Sequence, residues 1–284
     1  MDIKIKEEYD ILINWYPGHM AKAMKEIKEN SPLLDLFIVV LDARSPISSY
    51  NEDFDSISPT KPRLFVITKS DLMDKSKVDM IKERFKGSKI IWADLRKKNS
   101  RQIILKAIKQ LTKEKVEREK QKGFVNPKIK CFVVGVPNAG KSSLINLMSQ
   151  NSKLEVANYP GVTRSKKWVA VDNYYFMDTP GILLPKLTDQ FAGVKLAAIS
   201  SIKIDVFPKM FLATEFYKLI SNYYPNKIQD LGVEPELEDA AVYNQLRSLA
   251  KQRNFIANGG SVDIDKVYDW FINWVKYLKD VTYE

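Results

Sequence analysis

Short apolar runs alternate with amphipathic stretches along the first two thirds of the chain. Four runs rich in β-branched and aromatic residues predict buried strands at 36–41, 64–68, 90–93 and 130–135. Helical periodicity is found at 76–85, 102–112 and 142–148, and a hairpin is expected over 168–178. Strands that alternate with helices predict an α/β fold, and continuous apolar runs are typical of buried parallel strands.

After about residue 185 the pattern becomes purely helical. Amphipathic helices are predicted at 191–202, 206–223, 237–254 and 263–279, with breaks at Pro225 and at 259–260. We therefore expect two domains. An α/β domain covers 1–185, with a helical segment at 1–30 and a basic linker at about 113–129, and a small all-α domain covers 186–284.

Charge changes the picture more than composition does. The chain has 45% hydrophobic and 28% charged residues, which excludes wholesale disorder. Its net charge is +10, and the excess lies in 31–189, where 29 basic residues accompany 17 acidic ones. This favours a polyanionic partner. Seven basic and three acidic residues cluster in 113–130, which is either a solvated helix end with a linker or a contact to nucleic-acid phosphates.

Cellular location is indicated by what the chain lacks. Cys131 is its single cysteine, so no intrachain disulfide can form and a reducing compartment is expected. The longest apolar run, 36–41, is too short to cross a bilayer. The first ten residues have the features of neither a transit peptide nor a secretory signal. We expect a cytoplasmic protein that does not enter a membrane.

A phosphate-binding loop follows the fourth predicted strand. Residues 135–142 read G-V-P-N-A-G-K-S, which matches G-x-x-x-x-G-K-[ST] between a strand and a helix. Backbone N–H groups of such a loop point at phosphate oxygens, Lys141 is expected to reach the β- and γ-phosphates, and Ser142 to hold Mg²⁺. The nucleotide-binding residues predicted here are Pro137, Asn138, Ala139, Gly140, Lys141, Ser142 and Ser143.

Two further segments have the order and spacing of a γ-phosphate sensor. Asp178 begins D-T-P-G at the end of a predicted strand, 37 residues after Lys141. We expect Asp178 to bind Mg²⁺ and the amide of Gly181 to meet the γ-phosphate. Between the two lies G-V-T-R, in which Thr163 is the predicted second hydroxyl on Mg²⁺. The pattern predicts nucleoside triphosphate chemistry.

Guanine recognition is predicted upstream of the phosphate loop. Thr68, Lys69 and Asp71 belong to T-K-S-D, which resembles the N-K-x-D motif. The carboxylate of Asp71 can accept both N1–H and the N2 amino protons of guanine, and the stem of Lys69 packs over the base. Thr replaces Asn, which shortens one hydrogen-bonding arm. Ala93 lies where a base-stacking loop is expected, and Asp71 precedes Lys141 by 70 residues, so the motif order is circularly permuted.

This order and the flanking motifs resemble the circularly permuted GTPases, specifically the ribosome biogenesis GTPase A (YlqF/RbgA) family. The segment 15–23, W-Y-P-G-H-M-A-K-A, resembles the family's W-F-P-G-H-M-A-K-A, and 42–49, D-A-R-S-P-I-S-S, resembles D-A-R-x-P-x-S-S. P-G-V-T-R, D-T-P-G and 259–263, G-G-S-V-D, add to the likeness, which runs over nearly the whole chain. We expect an α/β P-loop GTPase domain with permuted motif order, followed by the small all-α domain.

The resemblance implies an enzyme that hydrolyses GTP in late assembly of the large ribosomal subunit. We expect its partners to be GTP and GDP, the large ribosomal subunit and its rRNA, and we expect the protein to be a monomer. Two other functions remain open from the residues. One is a non-hydrolysing, GTP-dependent RNA-binding scaffold. The other is a GTPase attached to tRNA modification, which the lack of a partner catalytic domain and of a C-terminal cysteine disfavours.

Water activation must differ from that of Ras-type enzymes, which place Gln directly after D-x-x-G. Here that residue is Ile182, which can neither donate nor accept a hydrogen bond. The single histidine, His19, is a candidate because imidazole can orient water near neutral pH, and the resemblance implies a catalytic role; capping of the helix at 20–29 or an rRNA contact is the alternative. Asn138 resembles the residue that holds K⁺ in potassium-stimulated GTPases, the alternative being a purely structural loop residue.

Overall fold

The computed structural model describes residues 18–149, 155–157, 168–182, 190–205, 207–257 and 259–284. These residues form two compact units, one within 18–182 and one within 190–283, and Glu284 groups with the first. The expected domain boundary at 185 lies in 183–189, outside the described residues, and stays a prediction.

The first unit contains a seven-stranded sheet. Its strands are β1 (Leu36–Asp42), β2 (Arg63–Thr68), β3 (Lys89–Ala93), β4 (Ile129–Val134), β5 (Glu155–Ala157), β6 (Trp168–Val171) and β7 (Tyr174–Asp178), in the spatial order β3-β2-β1-β4-β7-β6-β5. Neighbouring strands from β3 to β7 in that order are parallel to one another. Strand β6 pairs with β7 in the antiparallel sense, and β5 pairs with β6 in the same way. All seven residues of β1 are buried, as expected for a central parallel strand.

Helices accompany the strands of this unit. They are α1 (Gly18–Asn30), α2 (Asp53–Ser56), α3 (Val78–Arg84), α4 (Asn99–Leu111), α5 (Lys113–Gln121) and α6 (Lys141–Ser149). Helix α4 packs on β2 and β3, and α6 packs on β6 and β7. Ala23 and Ile27 of α1 belong to the same buried core as Phe37 and Phe132, whose rings meet edge to face at 6.2 Å. The core thereby fixes α1 beside the sheet.

The structure corrects the expected linker at about 113–129. Residues 113–121 form α5, and only the residues after it connect to β4. Lys113–Glu117 and Lys115–Glu119 pair at 3.7 and 3.1 Å across one helical turn, and such pairs stabilise a helix that has little apolar surface. Sequence periodicity also missed β5, whose three residues are too few to show an alternating pattern.

The second unit is helical. Its helices are α7 (Gln190–Ala198), α8 (Lys209–Tyr223), α9 (Pro225–Gln229), α10 (Asp239–Gln252) and α11 (Ile264–Lys276). Helix α8 contacts the other four, and Tyr217 stacks on Phe271 with ring centroids 5.4 Å apart. The helix expected at 206–223 begins only at Lys209, because Pro208 is favoured at a helix start and not within a helix. Among the described residues, no helix is long and apolar enough to span a bilayer.

Candidate guanine-nucleotide site

The predicted site residues lie at one edge of the sheet. Thr68 ends β2, Val134 ends β4 just before the phosphate loop, and Asp178 ends β7. The intervening order β2-β1-β4-β7 is parallel throughout, so the carboxyl ends of these strands share one edge. In open α/β sheets this edge is where ligands bind. The structure therefore brings together segments that are 110 residues apart along the chain.

The phosphate loop has the backbone geometry of its motif. Gly135 has φ +149°, and a Cβ there would lie 2.2 Å from the carbonyl oxygen of Val40, so only glycine fits. Asn138 and Gly140 also have positive φ, at +58° and +105°. Helix α6 begins at Lys141, which places its N-terminus at the loop and makes a ready anion site.

Lys141 is held inside this loop. Its Nζ donates to the carbonyl oxygens of Gly135 at 3.1 Å and Val136 at 2.9 Å. Burial lowers the pKa of Lys141 to about 8, and the charge of Asp178 opposes that shift only in part. An arriving phosphate would supply the missing negative charge and raise this pKa again. The ammonium group is thus placed for phosphate binding.

Two oxygen ligands for a divalent cation meet beside the loop. The hydroxyl of Ser142 donates to Oδ2 of Asp178 at 3.0 Å. A hydroxyl and a carboxylate are hard oxygen donors of the kind that Mg²⁺ binds together with substrate phosphates. These two residues fit a magnesium site. Thr163, the other predicted ligand, lies outside the described residues.

The segment after β7 touches the phosphate loop directly. A Cβ on Gly181 would lie 2.6 to 2.8 Å from atoms of Pro137, so the two backbones are in close contact. The amide of Ile182 donates to the carbonyl oxygen of Gly135 at 3.1 Å, and the Ile182 side chain is fully buried. Ile182 therefore cannot orient a water molecule, as its residue type indicated.

The guanine-reading loop is tied to the phosphate loop by two side chains. The hydroxyl of Thr68 lies 2.6 Å from the carbonyl oxygen of Ala139, and Nζ of Lys69 lies 3.0 Å from that of Asn138. Thr68 is buried and pairs with Ala93 of β3 in the parallel register. The shorter Thr side chain thus still reaches the phosphate loop, in spite of its departure from Asn.

Asp71 forms an ion pair with Arg96, a contact that the sequence motifs did not indicate. Oδ2 of Asp71 lies 2.8 Å from Nη2 of Arg96, which also contacts Asp94 through Nε at 2.9 Å. The hydrogen bonds and charge of Arg96 lower the pKa of Asp94. Guanine would have to take the place of Arg96 at Asp71. Arg96 is largely exposed, so the exchange needs little desolvation.

Asp42 begins the D-A-R segment at 42–49, but the sequence had not indicated that it takes part in the nucleotide site. Its Oδ1 accepts from the amide and Nε of Arg44, both at 3.0 Å, and its Oδ2 accepts from Nη2 of Arg44 at 2.8 Å and from Nζ of Lys69 at 2.5 Å. Burial alone would raise the pKa of Asp42, but hydrogen bonds and charge from Arg44 and then Lys69 hold it below its usual value. Asp42 therefore fixes Lys69 in the guanine-reading loop.

A cavity of about 570 Å³ lies over the phosphate side of the site. It is lined by the phosphate loop, by residues 177–181 and by Ala23, Glu26 and Ile27 of α1. His19 lies in the first turn of the same helix, one turn before Ala23; its side chain is outside the described residues. Helix α1 thus contributes a wall to the cavity, which motif spacing had not indicated.

The phosphate loop, the oxygen pair on its cation side and the T-K-S-D loop define a P-loop GTPase with permuted motif order. A family model described as "50S ribosome-binding GTPase" matches residues 130–237. "Ribosome biogenesis GTPase A" of Bacillus licheniformis is 34% identical over 95% of this chain and 96% of its own length. The "Probable ribosome biogenesis GTPase A" of Mycoplasma pneumoniae is 31% identical over 79% of this chain and 80% of its own length.

The chain belongs to the ribosome biogenesis GTPase A family, as its motifs had indicated. Among solved structures, "GNP-bound YlqF from T. maritima" shares its fold with a TM-score of 0.63, over 93% of this chain and 97% of that one, at 20% identity. A GDP-bound YlqF structure has a TM-score of 0.65 at 21% identity. The expected fold class, a permuted GTPase domain followed by a helical region, is confirmed.

Proposed function

We propose that this protein is a GTPase that acts in late assembly of the large ribosomal subunit and uses GTP hydrolysis as a maturation switch. The names of its relatives and of the matching family model support this role. The observation that carries the activity is the direct tie between the two halves of the site, Thr68 to Ala139 and Lys69 to Asn138. These hydrogen bonds hold the base-reading loop against the phosphate loop. We expect a monomer that works in the cytoplasm.

Phosphate charge is neutralised from several sides in this mechanism. Lys141 contacts the β- and γ-phosphates, and the loop amides and the N-terminus of α6 surround them. Mg²⁺ held by Ser142, Asp178 and Thr163 would neutralise charge that develops between the β- and γ-oxygens. Asn138 is the proposed K⁺ ligand, and its place in the cavity lining supports this assignment. The amide of Gly181 reads the γ-phosphate.

The base is selected by Asp71. Its carboxylate accepts two hydrogen bonds from guanine that adenine cannot donate, while Lys69 covers the base and Ala93 lies beside it. Binding of GTP or GDP releases Arg96 from Asp71. Because an exposed ion pair contributes only about 0–1 kcal/mol, this release costs little of the binding free energy.

His19 is the proposed group that orients the attacking water. The buried Ile182 leaves that task open, and helix α1, which contains His19, lines the cavity next to the phosphates. We propose that the ribosomal subunit holds this segment in its active position. Intrinsic hydrolysis should then be slow and nearly insensitive to His19→Ala, whereas subunit-stimulated hydrolysis should fall by roughly 100-fold.

Phosphate release tests the proposal. It is measured for the wild type with and without large subunits, in K⁺ and in Na⁺ buffer, with Lys141→Ala as the inactive control. We expect hydrolysis that rises with subunits and with K⁺, and Asn138→Ala should remove the cation difference. Equal rates in the two buffers would return Asn138 to a structural role, and no stimulation by subunits would exclude the ribosomal switch.

A second candidate function is a GTP-dependent RNA-binding scaffold that does not hydrolyse GTP. The buried Ile182 favours it, because Ile182 occupies the position of the Ras glutamine and its side chain cannot hold a water molecule. The same assay separates the two functions. A scaffold would bind subunits more tightly with GTP than with GDP and release no phosphate above the Lys141→Ala background in any buffer.

A further inference from the structure

A second, larger cavity lies away from the nucleotide site. It has a volume of about 1020 Å³ and is lined by the end of α4, by α5, by the residues that lead into β4 and by the turn before β7. Five lysines line it: Lys106, Lys109, Lys113, Lys120 and Lys128. We call this cavity the lysine groove. No motif of the nucleotide site falls within it.

The lysine groove is strongly positive. All five lysines are exposed, and the acidic residues of the lining are Glu117 and Asp172, which leaves a net charge of +3. Glu117 pairs with Lys113 at 3.7 Å. Lys106, Lys109 and Lys120 form no ion pair with any residue that the structure describes. Their charge is therefore available to an anionic partner. Lys113 and Lys128 add to the positive electrostatic potential of the groove.

The groove and the nucleotide site lie at opposite edges of the sheet. The groove contains Lys128, just before β4 begins, and Tyr174, where β7 begins, whereas the nucleotide is expected where β4 and β7 end. Six residues of β4 at about 3.3 Å each separate the two edges by roughly 20 Å. A ligand of the groove is therefore not part of the nucleotide, and substitutions there do not touch the GTPase machinery.

The arrangement of the charges fits an extended polyanion. Lys106, Lys109, Lys113 and Lys120 follow one another at steps of three, four and seven residues along α4 and α5, which are separated only by Thr112. At a helical rise of 1.5 Å per residue, the fourteen residue steps from Lys106 to Lys120 span about 21 Å. A compact ligand such as a free phosphate would need charges that converge on one point. A row of separate lysines can instead contact successive phosphates along a nucleic-acid backbone.

We infer that the lysine groove binds the RNA backbone. This inference rests on the proposed ribosomal function, which supplies the RNA, and it assigns the contact to a surface outside the nucleotide site. Phosphate contacts of this kind position a protein on RNA and do not read its sequence. Of the two interpretations of the basic segment 113–130, the inference adopts the nucleic-acid contact.

Charge neutralisation tests the inference. The triple variant Lys106→Gln, Lys109→Gln and Lys120→Gln removes the three lysines that have no ion pair. Binding of full-length protein to deproteinised large-subunit rRNA, and separately to intact large subunits, is measured between 50 and 300 mM KCl with a non-hydrolysable GTP analogue. Loss of three phosphate contacts should make the negative slope of log K against log salt shallower by about 2, which corresponds to roughly 100-fold weaker binding at 0.1 M salt.

The matched control removes the same charge elsewhere in the first unit. Lys75→Gln, Lys86→Gln and Lys89→Gln change three exposed lysines near α3 and β3, none of which lines the groove. The control should keep the wild-type salt slope for both RNA and subunits. Both triple variants should bind GTP as the wild type does, which shows that they are folded.

Each result decides between partners. Weaker binding to both rRNA and subunits supports the inference. Weaker binding to subunits with unchanged binding to rRNA means that the groove contacts an acidic ribosomal protein, and unchanged binding to both means that it contacts neither; each overturns the inference. If the wild type binds rRNA through these lysines but ignores subunits, the groove stands and the proposed ribosomal function fails. If the wild type binds neither, both fail.

Discussion

Asp42→Asn should weaken guanine-nucleotide binding although Asp42 does not belong to any nucleotide-binding motif. The side chain is fully buried and holds Nζ of Lys69 at 2.5 Å while Arg44 occupies its other positions. An Asn side chain has nearly the same shape, but it lacks the charge and directs a donor amide at groups that are themselves donors. Lys69 is then free to leave the phosphate loop.

The burial of Arg44 and Lys69 sets the size of two effects of Asp42→Asn, the loss of stability and the loss of nucleotide affinity. Breaking a buried ion pair costs about 3–5 kcal/mol, and Arg44, only 4% exposed, bears most of it, so the free energy of unfolding should fall by about 3 kcal/mol. Lys69 is 31% exposed and can turn to water. Fixing it again when nucleotide binds costs about 1.5–2 kcal/mol of side-chain entropy, which weakens binding roughly 10- to 30-fold.

Fluorescent GDP titration and urea unfolding measure the two effects separately. The control is Lys69→Met, which keeps the stem and removes the ammonium group. If Asp42 acts on nucleotide through Lys69, the double variant should bind no more weakly than Lys69→Met alone. Asp42→Asn with normal nucleotide affinity would refute the reasoning and leave Asp42 a purely structural residue.

Low pH should reduce the stability that the Asp42 carboxylate contributes through Arg44 and Lys69. The pKa of Asp42 lies below its unfolded value, so its contribution to stability is present above that value and is lost as the pH falls through the folded-state pKa. The wild type should therefore lose stability in acid more steeply than Asp42→Asn does, because the variant has no carboxylate to protonate. Urea midpoints between pH 3 and pH 6 measure this difference.

Three further predictions concern the nucleotide site. Because the pKa of Lys141 is about 8 before phosphate arrives and rises on binding, GDP affinity should fall as the pH rises above 8, whereas guanosine, without phosphates, should show no such loss in the same titrations. Gly181→Ala should reduce hydrolysis at least 10-fold with little change in GDP affinity, since the added methyl collides with Pro137; unchanged single-turnover rates would contradict that contact. Arg96→Ala should tighten GDP binding by up to about 5-fold because Asp71 loses an exposed competitor, and weaker binding would mean that Arg96 contacts the nucleotide itself.

The strands and the motifs of the site were predictable because local composition determines both. Continuous apolar runs gave β1 to β4 within one or two residues, and G-x-x-x-x-G-K-S specifies its own backbone geometry through the conformations its glycines permit. Helix ends were less accurate, as at Lys209, since capping competes with periodicity at the boundary. Helix α5 looked like a linker because ion pairs, and not an apolar face, stabilise it.

The contacts of Asp42 and Arg96 were beyond the sequence for a different reason. Asp42 meets Lys69 only because β1 and β2 are parallel neighbours in a register that pairs Asp42 with Thr68. Arg96 meets Asp71 only because β3 is the next strand along. Each contact depends on strand order, register and rotamer together, and none of the three is encoded in a local motif.

Strand order also explains why a permuted chain can keep the whole nucleotide site. The base-reading loop follows β2 and the phosphate loop follows β4, and β1 lies between those strands whichever of them the chain forms first. What holds the loops together is therefore a set of side chains and not chain connectivity: the hydroxyl of Thr68, the ammonium of Lys69 and, behind it, the carboxylate of Asp42. If that is correct, the permuted order places a demand on Asp42 that a motif comparison does not show, and the double variant with Lys69→Met measures it.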